Sequence, residues 1–120
     1  MTTYIALSVV APHGESIAAG RKTLEVRSWK PSRLPLVDLL IVENSRFLTE
    51  EGQVDADGVA VALVDVVSVG PWLPSEVAAA CSMGWQAGHF SWRLANVRRL
   101  PRREKVPAAR KLYEVQIELQ

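Results

Sequence analysis

The sequence predicts an α+β chain that is mainly β: a six-stranded β-barrel with two short flanking helices. Three observations carry this expectation. Apolar, β-branched runs recur about six times, divided by Gly, Pro, Asp and Asn. Only two stretches have helical spacing, and both are short. There is no internal repeat, low-complexity tract or βαβ rhythm. Strands of this length would leave apolar edges exposed in an open sheet, so closure into a barrel is the expected arrangement. The chain has 120 residues, 48% apolar and 22% charged. That is the size of one domain, residues 1–120, with enough apolar side chains to build a core.

Tyr4 to Val10 reads as the first strand. Pro12 suits the first turn of a short helix running through Glu15, Ile17 and Ala18, and Gly20 supplies the left-handed residue that ends it. From Thr23 to Trp29 the residues alternate. Leu24, Val26 and Ser28 form the face expected to meet the core, and Thr23, Glu25, Arg27 and Trp29 form a polar face. Leu36 to Val42 is a nearly continuous apolar run, as a buried strand requires, and polar Glu43, Asn44, Ser45 and Arg46 gather at its exit. Residues 49–58 have the composition of an acidic surface loop.

Val59 to Val69 is a long strand interrupted by Asp65 and ended by Pro71 and Pro74. Pro74 begins a second helix in which Val77, Ala80 and Cys81 share a face before Gly84 stops it. His89 to Arg99 is another strand, Pro101 to Lys111 a basic connector, and Leu112 to Leu119 the last strand, with Tyr113, Val115, Ile117 and Leu119 inward.

Several function classes drop out. No apolar run approaches the ~18 residues that span a bilayer, and Met1-Thr2-Thr3-Tyr4 lacks a charged signal region, so a cytoplasmic protein without a membrane partner is expected. Cys81 is the only cysteine and has no disulfide partner, while His13 and His89 lack zinc-site spacing; no metal and no cofactor are expected. Net charge is only +1, but it is unevenly placed. Arg21 to Arg33 holds five basic residues against Glu25, and Arg98 to Lys111 holds seven against Glu104, leaving the remainder acidic. Such polarity attracts a polyanion to part of the surface and repels it elsewhere, which suits nucleic acid.

The most informative stretch is Gly20-Arg21-Lys22-Thr23-Leu24-Glu25-Val26-Arg27-Ser28-Trp29. It joins a helix stop, a lysine at the helix–strand junction and a strand with a polar face. Lys22 beside Glu25 and Arg27 can hold a phosphate or, if desolvated, act as a base, because burial and neighbouring positive charge lower a lysine pKa. A surface ion pair is the plainer use of the same residues. Trp29 and Trp92 are candidate stacking surfaces for bases, and Arg98, Arg99, Arg102 and Arg103, with Lys105, are the expected electrostatic approach for a longer strand. His13 and Ser45 are placed at the rim.

With Ala6-Leu7-Ser8, Pro12, and the later Phe90 to Pro101 and Leu112 to Val115 segments, this stretch resembles the ASCH family of the PUA-like superfamily over nearly the whole chain. The resemblance implies a PUA-like barrel with a cleft lined by the Lys-Thr-x-Glu-x-Arg segment and a role in binding RNA or a nucleoside or nucleotide. It also implies two hydrolase alternatives. Some relatives are amidohydrolases that deacylate N4-acetylcytidine with a lysine, a threonine and a glutamate; others are ribonucleases. Lys22 matches the amidohydrolase lysine, but Glu25 stands where that threonine would be, which removes the hydroxyl such a mechanism uses. By position only Glu76 can supply the third group, and a helix-start role explains it equally well. A metal-independent ribonuclease would draw on Lys22, Glu25 and Arg27. A protein–protein interaction domain is the remaining alternative.

Overall fold

The computed structural model describes residues 1–119. The elements in order are β1 (Thr2–Val10), α1 (His13–Ala18), β2 (Leu24–Arg27), β3 (Leu36–Asn44), β4 (Val54–Asp55), β5 (Val59–Pro71), a 3-10 turn at Pro74–Glu76, β6 (Phe90–Lys105), β7 (Ala108–Ala109) and β8 (Leu112–Ile117). The six longer strands form one sheet in the order β2-β6-β5-β3-β1-β8, curled into a half-barrel, and β4 pairs with β7 beside it. The mainly β class read from the sequence therefore holds. β1 and β3 run parallel, and every other pairing in the main sheet is antiparallel.

The central strands are apolar on both sides because both sides are covered. Along β3, Leu39 and Ile41 join a core with Leu7, Val9, Ile17, Val64, Val66 and Trp92 under α1, while Leu40 and Val42 join a second with Ala6, Ala60, Leu100, Val106, Val115 and Ile117. A third small cluster, Leu24, Trp72 and Ala80, lies against β2. No helix among the described residues is long and apolar enough to cross a membrane.

Three sequence expectations are corrected. The polar face of β2 is not solvent-facing. Glu25 lies opposite Trp92 in the ladder, so the two side chains share a face, and Trp92 is fully buried in the main core. Leu24 and Val26 instead pack with Trp72, Val77 and Ala80, because the 72–82 segment covers the other face.

The second helix is a single 3-10 turn followed by hydrogen-bonded turns, and Cys81, with φ 52°, ends them in the left-handed region where Gly84 was expected to do so. Cys81 is thereby exposed and does not share a buried face with Ala80.

The basic connector is mostly strand, since β6 runs through Pro101 to Lys105. β6 pairs Arg99 with Ala62 and Glu104 with Ala60, and the register shift between them absorbs the proline, which has no N–H for a regular ladder.

A candidate cationic cleft

The cleft is built from the end of α1. Gly20, at φ 80°, turns the chain so that the N–H groups of Arg21 and Lys22 both donate to the Ser16 carbonyl, at 2.9 and 3.0 Å. This closure satisfies a helix-end carbonyl and fixes where Lys22 leaves the helix. The next residues are then clamped: Thr23 N–H donates to Ala79 O at 2.9 Å, and Leu94 N–H donates to Thr23 O at 3.0 Å. Lys22 thus enters the cleft between α1, the 79–80 turn and β6.

Lys22 and Glu25 are buried, at 4% and 6% exposure, and Arg27 is half-buried. The Lys22 ammonium donates to the Ala80 carbonyl and lies 3.3 Å from Glu25 Oε1. Arg27 donates to Glu25 Oε2 from Nε at 2.9 Å and from Nη2 at 2.7 Å, and Nη2 also donates to Ser8 O at 2.7 Å. Burial works to raise the Glu25 carboxyl, but the charges of Arg27 and then Lys22, with their hydrogen bonds, outweigh it and hold the group below its ordinary value. Glu25 is therefore an anion with both oxygens engaged. One Lys22 N–H and the Arg27 Nη1 group have no acceptor among the described residues.

These groups lie in a cavity of about 600 Å³, within the ~300–1,000 Å³ usual for ligand sites. The Asn44 to Leu48 segment, with Ser45 left out of the lining, forms one wall; residues 80–84 and 109–111 form others, and His13 faces in from the start of α1. His13 is held below the usual histidine value by burial first and then by the charge of Lys22, and its Nδ1 is buried without a hydrogen-bond partner. It is neutral near pH 7. Behind the wall, buried Asp55 accepts from Asn44 Nδ2 at 3.3 Å and lies 3.6 Å from Arg46 Nε, while Asn44 Nδ2 also donates to Arg46 O at 2.7 Å. That network anchors the wall to β4. Ser8, in the lining, accepts from Ala109 N–H at 3.1 Å, which ties residue 109 to β1.

Of the residues singled out in the sequence, Lys22, Glu25, Arg27 and Trp29 come together in this cleft. The others do not. Trp92 is core, and its ring meets the Trp29 ring edge-on at 5.0 Å, so it offers no face to a base. Trp29 lines the cleft, but Lys111 Nζ lies over its ring, 5.8 Å from the centroid. Glu76 accepts from Leu73 N–H at 2.9 Å and closes its own 3-10 turn away from the cleft. Ser45 is exposed and outside the lining.

Most of the β6 cations expected to form a basic approach are already paired with carboxylates. Arg98 pairs with Asp38 and Asp65, Arg99 and Arg103 both clasp Glu15 at 2.9 Å, and Lys105 pairs with Asp57 at 3.3 Å. Arg102 lies on the same strand, outside the cleft lining. Sequence reasoning passed over the cations that do line the cleft, Arg46, Arg110 and Lys111, and the exposed phenyl of Phe47 beside them. Their one signal was position at strand exits, where binding residues concentrate. Among the described residues no group of three or more His, Cys, Asp and Glu side chains is placed to hold a metal ion.

The model of the ASCH domain family matches residues 7–104. No curated protein sequence matches the chain. Among solved structures, the chain is similar to two single-substitution variants of ZmASCH from Zymomonas mobilis. One has a TM-score of 0.52 at 10% identity, covering 86% of this chain and 76% of that one. The other has a TM-score of 0.50 at 11% identity, covering 82% and 71%. At this identity the likeness is one of fold.

Proposed function

The chain belongs to the ASCH domain family, and from that premise we propose that residues 1–120 form one RNA- or nucleotide-binding domain whose guest sits in the Lys22–Glu25–Arg27 cleft. The observation that carries the reading is the floor. Its groups without an acceptor among the described residues, one ammonium N–H of Lys22 and Nη1 of Arg27, are all donors. Such a floor favours a phosphate or base-carbonyl oxygen and disfavours a cationic or donor-rich guest.

The ionised Glu25 supports binding over catalysis by this trio. A carboxylate committed to two cations has no free oxygen to take a proton, and its position carries no hydroxyl for acyl transfer. Its role in this reading is to hold Lys22 and Arg27 in place.

The test is incubation with single-stranded RNA and, separately, with N4-acetylcytidine, scoring retention and turnover together. Retention of RNA without turnover is the expected result. Turnover of either compound would move the protein into the hydrolase class, and retention of neither would favour a protein-interaction domain.

A further inference from the structure

We infer that the guest is a single-stranded oligonucleotide of at least two nucleotides, and that Phe47 is the platform on which the nucleotide outside the floor pocket stacks. The inference rests on the binding reading above and extends it from one seated nucleotide to its neighbour.

Phe47 is 77% exposed on the lip of the cleft. Its position is set from below, because Asn44 holds the Arg46 carbonyl at 2.7 Å and Asp55 holds both Asn44 and the Arg46 guanidinium. An exposed phenyl alone carries no message. Here it stands in the same lining as Arg46, Arg110 and Lys111, and among the described residues Arg110 and Lys111 have no carboxylate partner. Arg98, Arg99, Arg103 and Lys105 of β6, by contrast, are matched to Glu15, Asp38, Asp65 and Asp57. Two cations without a carboxylate partner thus stand together at the mouth of the cleft, beside the phenyl.

An apolar ring set beside cations, two of them without a carboxylate partner, fits a ligand that alternates flat apolar rings with anions, and single-stranded nucleic acid is such a chain. The cations hold the phosphate between two nucleotides, the floor takes one base or its phosphate, and the phenyl face takes the next base. Trp29 is a poorer platform because Lys111 covers its ring.

The experiment compares wild type, Phe47→Ala, Phe47→Trp and Lys22→Met for binding to adenosine 5′-monophosphate and to a single-stranded hexa-adenylate. Phe47→Ala is expected to weaken the hexamer about tenfold, as loss of one stacked base does, and to leave the monophosphate within about twofold. Phe47→Trp is expected to bind the hexamer at least as well as wild type. Equal loss for both ligands, or no loss for the hexamer, overturns the inference. If Lys22→Met abolishes both while Phe47→Ala leaves both unchanged, the cleft reading stands and only the platform falls. If wild type binds neither ligand, the cleft reading falls and takes the platform with it.

Discussion

Lys22 Nζ lies 3.3 Å from Glu25 Oε1, with both side chains almost wholly withdrawn from solvent. A buried pair of this kind adds little net stability against an apolar replacement, but removing one partner strands the other charge. Glu25→Gln leaves the Lys22 ammonium and the Arg27 guanidinium facing each other with no anion between them. The expected loss is about 3–5 kcal/mol in urea unfolding. A loss under about 1 kcal/mol, at unchanged denaturant dependence, would show that the triad is solvated.

The acid side of the stability profile draws on the same carboxylate, alongside Glu15, Asp55 and Asp65, which are also held below their ordinary values. Because Glu25 is held below its ordinary value when folded, its contribution is complete above the unfolded pKa, about 4.3, and disappears as pH falls through the folded value. His13 acts in the same direction in a higher window. It is depressed when folded, so the unfolded chain takes up the proton first, and stability declines as pH drops below about 6.5. Urea midpoints measured from pH 3 to 8 should fall on acidification, in two stages. His13→Gln should remove the upper stage; its persistence would assign that stage elsewhere.

Lys22→Met keeps the length of the stem and removes the charge. Binding of single-stranded RNA is expected to weaken about 10–100-fold, the range for a lost charged hydrogen bond. Lys30→Ala is the matched control, since Lys30 is exposed over the Phe90 ring, 5.1 Å from its centroid, and does not line the cleft. Equal affinities in a filter-retention assay would take Lys22 out of the site.

Salt separates the two sets of arginines. Each phosphate neutralised by a cation contributes about −0.7 to the slope of log K against log salt for a single strand. Arg110→Ala is therefore expected to make the slope shallower by roughly that amount. Arg99→Ala should leave the slope where it was, because Arg99 is already matched to Glu15. A slope that responds to Arg99 and ignores Arg110 would place the strand along β6.

Much of this site was legible in ten consecutive residues, because the geometry that forms it is local. Gly20 ends α1, Lys22 follows at the junction, and Glu25 and Arg27 share a face of β2 by simple alternation. Which side that face looked to was not legible, since both sides of β2 are covered and the cover over Leu24 comes from residues 72–80. The β6 arginines misled for the same reason. Glu15 lies 84 residues before Arg99, and Asp38 lies 60 before Arg98, so their neutralisation is a product of topology alone. Arg46 and Arg110 sit in unrelated segments that meet only when β4 pairs with β7.

The Lys22 ammonium rests on a carbonyl 58 positions further along the chain, and the arginine beside it rests on one in β1. No fragment of this molecule carries a finished receptor. Any guest of the cleft therefore favours only chains whose sheet is complete, and should raise the melting temperature in step with its concentration over Kd. Occupancy becomes a gauge of foldedness, and in a mixed population of intact and misfolded copies the guest would report the intact ones alone.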